Sequence, residues 1–129
     1  MPFFGGFFDF FRKSGAIFDI IWGMTPKQQA ETIAAALEER KGIDVKIYDM
    51  TGKNALADFF VVATGAAAPH LKALAAESQN AMRNAGVQKY RMSGDPDSGW
   101  IAVDYVDVVV HVFSPEARRY YALEKLWTK

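Results

Sequence analysis

Three ionisable side chains interrupt the apolar run Trp100–Phe113, which reads WIAVDYVDVVVHVF: Asp104, Asp107 and His111. Burying an unpaired carboxylate is costly, so carboxylates in such a run mark a strand end or an exposed working face. The first chemistry to weigh is that of a nucleotidyltransferase, in which a Gly-Ser turn holds phosphate and paired strand carboxylates hold metal ions. The pieces here are incomplete. Gly65 is followed by Ala66-Ala67-Ala68-Pro69 rather than by a hydroxyl residue, and Asp104 and Asp107 fall on opposite faces of an uninterrupted strand. Only a turn between them would bring both together. His111 sits in VVVHVF, the setting of a packed histidine with one hydrogen bond rather than of a ligand or base, and His70 reads as a first-turn helix residue. No Ser-His-Asp order, HExxH helix, dinucleotide Gly fingerprint or GxxxxGK loop is present. The reading is therefore a protein without catalytic residues, metal or cofactor, with residual nucleotide binding or nucleotidyltransferase-like activity as the alternative.

The second chemistry is recognition. Between Met92 and Ala117 stand Asp95, Asp97, Asp104, Asp107 and Glu116, with no Lys or Arg among them. Asp95 and Asp97 fit a turn and Glu116 a helix start, which leaves Asp104 and Asp107 to explain. Trp100, Ala102 and Asp104 share one strand face, and an indole beside a carboxylate at a sheet edge matches the aromatic anchor and polar rim of protein interfaces. A basic protein surface would suit it; the plain alternative for Trp100 is a core aromatic.

These residues need a scaffold, and 129 residues with 50% hydrophobic and 23% charged composition suffice for one compact domain. Fifteen basic and fifteen acidic side chains balance, so no net field favours phosphate backbones. With no Cys there is neither disulfide nor thiolate chemistry, and a reducing compartment suits the chain. Thr25-Pro26-Lys27-Gln28 places a hydroxyl cap, a Pro at the first helical position and a reciprocal Gln. Ala30, Ile33, Ala34 and Leu37 follow at helical spacing, and Lys41-Gly42 offers a left-handed Gly to end that helix. Val45–Met50 reads as a strand, and Asp58–Gly65, apolar on both faces, as a central strand covered on both sides. Pro69 opens a second helix with Leu71, Leu74, Ala75, Ser78, Met82 and Ala85 on one face, closed by Gly86. A short strand at Lys89–Met92, a turn cluster at Gly94–Gly99 and two strands split near Tyr105–Asp107 come next. Ser114-Pro115-Glu116 starts the last helix, with Ala117, Tyr120, Leu123 and Trp127 expected on its inner face. The pattern predicts one α/β domain over 25–129, a mixed sheet of about five strands with flanking helices.

Residues 1–24 form a distinct aromatic-rich arm. On a helical wheel Phe3, Phe7, Phe10, Ile17 and Ile21 form one stripe and Phe4, Phe8, Phe11, Phe18 and Trp22 the next, with Asp9, Arg12 and Asp19 opposite. Charges and glycines interrupt any membrane-spanning run, and no targeting signal is found. Three readings stand for the arm: docking on its own domain or on a second copy in a homodimer, anchoring at a membrane surface, or translation upstream of a start at Met24.

The order of D-F-F-V-V-A-T-G at Asp58–Gly65, W-I-A-V-D-Y-V-D at Trp100–Asp107, V-V-V-H-V-F at Val108–Phe113 and E-A-R-R-Y-Y-A-L-E-K-L-W at Glu116–Trp127 resembles the ribosomal silencing factor family, also called Iojap-like. The likeness runs from about Thr25 to Trp127. It implies a nucleotidyltransferase-like α/β fold without transferase activity, in a cytoplasmic protein that binds the large ribosomal subunit. There the family docks on the fourteenth large-subunit ribosomal protein, sterically blocks joining of the small subunit and lowers translation when nutrients are scarce. The resemblance lands on Trp100, Ile101, Asp104, Tyr105, Asp107 and His111 in the sheet and on Arg118, Tyr121, Glu124 and Trp127 in the last helix. Trp100, Ile101, Asp104 and Tyr105 are the expected contact set, with Asp107, Arg118 and Tyr121 beside them; His111, Leu123 and Trp127 are assigned to holding the fold. Two positions depart from the family pattern. Val106 stands where the family usually has Gly, which bears on the turn, and Ala66–Ala68 replace a stretch that usually contains a hydroxyl, which bears on phosphate binding.

Overall fold

The computed structural model describes residues 24–53, 57–122 and 124–127; the arm before Met24 lies outside them. The elements are α1 (Pro26–Glu39), β1 (Ile43–Asp49), β2 (Phe59–Thr64), α2 (Ala68–Asn84), β3 (Arg91–Asp95), β4 (Trp100–Asp104), β5 (Val108–Phe113), α3 (Pro115–Tyr121) and α4 (Glu124–Trp127), with a 3-10 turn at Pro96–Ser98. The strands form a mixed five-stranded sheet of order β1-β2-β5-β4-β3. Only the β2–β5 pair is parallel; the other three are antiparallel. The centre of the sheet is thus β5, and β2, expected there, lies one place from the β1 edge.

Local chemistry explains the element ends. Thr25 Oγ1 accepts from the Gln28 N–H at 3.2 Å and Gln28 Oε1 accepts from the Thr25 N–H at 3.0 Å, the reciprocal cap read from the sequence. At the other end of α1 the left-handed residue is Lys41 (φ 65°), not Gly42. Gly42 has a different reason to be Gly: its N–H donates to the Leu37 carbonyl at 2.8 Å, and a Cβ there would lie 2.9 Å from that oxygen. The α2 N-cap, Ala67, has no side-chain acceptor. His70 in the first turn compensates, its Nδ1 accepting from the Ala66 N–H and its Nε2 donating to the Arg40 carbonyl, each at 2.9 Å. That ties the start of α2 to the end of α1.

Two stretches differ from their sequence reading. The strand expected at Lys89–Met92 runs instead over Arg91–Asp95, because Gly94 and Asp95 complete the ladder with Ile101 and Trp100. Cross-strand pairing outweighs their turn preference, and the turn shrinks to the 3-10 segment, where Asp95 Oδ1 accepts from the Asp97 N–H at 2.9 Å. The last helix is two: Ala122 takes φ 47° and ends α3 before α4 begins. Helical periodicity therefore does not extend to Trp127, and Tyr120, expected inside, is 82% exposed.

The main core lies between one sheet face and the α1–α2 pair. Val61, Ile101, Val103, Tyr105, Val108, Val110 and Val112 pack there against Ile33, Leu37, Leu71, Leu74 and Met82. The buried Tyr105 hydroxyl and Ser78 Oγ lie 3.0 Å apart, and Ser78 also donates to the Ala75 carbonyl, so these two buried hydroxyls are satisfied within the core. The opposite face carries a smaller cluster of Val62, Phe113 and Ala117 with Tyr48 and Trp100 packed against it.

The connection from β4 to β5 is the tight turn the sequence required. The Asp107 N–H donates to the Tyr105 carbonyl at 3.0 Å across Val106, which is held at φ 79°, the strained positive-φ γ-turn. A β-branched residue there costs energy that Gly would not. Val106 is 71% exposed, so little packing opposes the change. Val106→Gly should stabilise the fold by about 1 kcal/mol, relief of strain exceeding the added freedom of the unfolded chain. A lower urea midpoint in the Gly variant would refute that assignment.

Candidate functional site

The period-two alternation of β4 decides the site. Ile101 and Val103 point into the core with Tyr105 behind them, while Trp100, Ala102 and Asp104 face the other way beside Val109, His111 and Phe113 of β5. Two residues of the expected contact set, Ile101 and Tyr105, are thus 3% and 4% exposed beneath the helices. They set the position of the strand and present no surface. Burial also pushes the Tyr105 hydroxyl up to about 12, so it acts as a neutral hydrogen-bonding group.

Trp100 is half-buried at the centre of an aromatic group. Its ring lies 5.2 Å from Phe113, 5.9 Å from His111 and 4.9 Å from Tyr121 of α3, and Tyr121 meets the exposed Tyr120 edge-on at 5.1 Å. A ladder Trp100–Tyr121–Tyr120 therefore rises from the sheet to solvent. It forms because Ala117 and Tyr121, four apart on α3, both face the sheet while Tyr120 turns away. The sequence reading puts Tyr120 on the inner face and gives it no part in the site; the Ala117–Tyr121 pairing, four apart, is the signal that turns it outward.

His111 orients the indole. Trp100 Nε1–H donates to His111 Nδ1 at 3.2 Å, and Phe60 meets the imidazole edge-on at 5.0 Å. Burial holds the imidazole down at about 4 against its usual 6.5. The unfolded chain takes up a proton that the folded one refuses between those values, so stability is full above pH 6.5 and falls as the pH drops toward 4. The protein should lose about 2 kcal/mol of unfolding free energy between pH 7.5 and 5, and His111→Asn should remove most of that slope. Parallel pH profiles for parent and variant would contradict the assignment.

The two aspartates divide their tasks, one through its side chain and one through its main chain. Asp104 Oδ1 accepts from the Val106 N–H at 2.7 Å and so builds the turn, while the exposed Asp107 offers its carbonyl to the Asp58 and Phe59 N–H groups and pins the start of β2. Beside Asp104, the residues Lys89, Tyr90, Arg91, Val106 and Val109 line a shallow hollow of about 310 Å³, so two cations share this end of the sheet with that carboxylate. Among the described residues no group of three or more His, Asp or Glu is placed to hold a metal ion.

Arg118, also expected at the interface, works inside the fold. It is 10% exposed and forks onto Glu124 through Nε and Nη2, both at 2.8 Å, while Nη1 donates to the Asp44 carbonyl at 2.9 Å and to Thr64 Oγ1 at 2.8 Å. The Tyr48 hydroxyl donates to the same carboxylate at 2.6 Å. Those bonds hold the Glu124 carboxyl down at about 2, and burial with the neighbouring carboxylate pushes Tyr48 up to about 12. Of the remaining expected fold residues, Leu123 and the Trp127 side chain lie outside the described residues.

Residues 24–129 match the family model described as "Ribosomal silencing factor during starvation". The chain belongs to the ribosomal silencing factor family. It is 36% identical over 104 residues to Ribosomal silencing factor RsfS of Bacillus subtilis, covering 81% of this chain and 88% of that protein. The Chromobacterium violaceum protein of the same name is 40% identical over 92 residues, 71% of this chain and 75% of that one. A crystal structure from Chromobacterium violaceum superposes with a TM-score of 0.76 at 36% identity, covering 81% of this chain and 87% of that chain. The mouse protein named "Mitochondrial assembly of ribosomal large subunit protein 1" is 26% identical over 117 residues, 88% of this chain and 47% of its own length.

Proposed function

We propose that the chain represses translation by binding the large ribosomal subunit in the cytoplasm, on its fourteenth ribosomal protein, where its bulk prevents the small subunit from joining. Binding energy alone does this work and no substrate is turned over. The observation that carries the reading is the family match over residues 24–129, with the Trp100–Tyr121–Tyr120 ladder as a surface suited to a protein partner. An indole partly open to solvent and braced from below by Phe113 and His111 supplies a rigid anchor, while Asp104, four residues along the same strand face, and Asp107 in the turn beyond it form an acidic rim at the far end of that face that steers a basic protein.

The test is co-sedimentation with separated large and small ribosomal subunits, followed by light scattering of subunit joining. Retention on large subunits alone, with joining suppressed, is the expected result; a folded protein that sediments with neither subunit would overturn the proposal. The charge of the rim is probed by Asp104→Asn, which keeps the oxygen that accepts from Val106 N–H while removing the negative charge. Its affinity should fall by less than about 1 kcal/mol, mainly through a slower and less salt-sensitive association. An unchanged association rate would argue against an acidic docking rim.

A further inference from the structure

On the far side of α3 from Trp100 lies an open groove of about 770 Å³ between β1, the end of β2 and the α3–α4 break. Its charged lining is Lys46, Arg118, Arg119 and Lys125 against Asp44 and Glu124. Both carboxylates are engaged: Glu124 by the Arg118 fork, and Asp44 by Arg118 at 3.4 Å and Lys46 at 3.9 Å. Arg118 at the base is fully occupied in that task. Arg119 and Lys125 on the rim are exposed and form no ion pair among the described residues, and Lys46 reaches Asp44 only at the limit of an ion pair. Four cations against two anions leave a local excess of two positive charges on a chain whose net charge is zero.

We propose that this groove binds the phosphate backbone of RNA, as a second contact beside the protein-binding ladder on the other side of α3. The inference rests on the ribosomal reading for its biological partner. It rests on the groove alone for its chemistry: the exposed cations Arg119 and Lys125, with Lys46 beside Asp44, surround a cleft whose two acids are engaged by Arg118 and Lys46. Such an arrangement follows a phosphate backbone without reading sequence. It also fits the neutral overall charge, because a contact this small adds to a larger interface and gives little binding at physiological salt by itself.

The test compares the full chain with a variant carrying Lys46→Gln, Arg119→Gln and Lys125→Gln, all exposed and outside the core, with urea unfolding to show that the fold persists. On large subunits the log–log slope of affinity against salt should be shallower by about 2 in the variant, and affinity at 100 mM salt lower by about tenfold. An equal slope overturns the proposal. A mixed-sequence twenty-nucleotide RNA at 20 mM salt separates this from failure of the ribosomal reading. Retention by the parent but not by the triple variant supports the groove even if large subunits are not bound; no retention by the parent, or equal displacement by polyglutamate, overturns it.

Discussion

Arg118→Ala should destabilise the protein by about 3 kcal/mol, the largest effect expected of a polar substitution among the described residues. Removing one member of a mostly buried pair leaves the other charge desolvated and unpaired, which costs more than the intact pair contributes. Here the loss is compounded. The Glu124 carboxylate loses both fork bonds and keeps the Tyr48 hydroxyl, while the Asp44 carbonyl and Thr64 hydroxyl lose a shared donor. The Arg118 side chain thereby joins α3 to α4, β1 and β2. Arg118→Lys keeps a charge but cannot fork, so it should recover less than half of the loss. Urea unfolding with an unchanged m-value is the measurement, and a loss below about 1 kcal/mol would show that solvent already weakens the network. The pH dependence has a definite sign. A folded carboxyl at about 2, below its ordinary 4.5, contributes stability that is present above pH 4.5 and lost as the pH falls toward 2. Arg118→Ala should flatten that acid limb.

Trp100→Ala should weaken large-subunit binding by about thirty-fold or more, equivalent to about 2 kcal/mol, if the ladder is the anchor of the interface. The indole also braces Phe113, His111 and Tyr121, so its removal costs fold stability as well. Two companions separate these effects. Trp100→Phe keeps a packed ring but loses the N–H that His111 accepts, and should fall between parent and Ala in both stability and binding. Tyr120→Ala touches a side chain that is 82% exposed, so it should leave unfolding unchanged while weakening the complex. Full affinity in both Trp100→Ala and Tyr120→Ala, with folded proteins, would move the docking surface elsewhere.

Val106 links the sequence reading to the structure in a specific way. The replacement of a usual family Gly pointed to the turn between the two carboxylates, and the backbone there does adopt φ 79°. The turn brings Asp104 and Asp107 to one end of the sheet, where one side chain and one carbonyl become scaffolding. What looked like paired chemistry is partly the means of making a hairpin.

The sequence by itself determined most of the elements, the bounds of β3 and the α3–α4 break excepted, together with the reciprocal cap at Thr25, the mixed α/β class and the sharing of one strand face by Trp100 and Asp104. All of these depend on spacing and turn chemistry within a few residues. Tertiary structure alone decided which face the helices cover. Strand alternation separates Ile101 and Tyr105 from Trp100 and Asp104 but does not say which set is buried; the packing of α1 and α2 does. It also decided the role of Arg118, whose partners Asp44 and Thr64 lie 74 and 54 residues away in the chain. No local pattern encodes contacts at that separation, because they exist only once the parallel β2–β5 pair and the α3–α4 break have brought both ends of the domain to one side of the sheet.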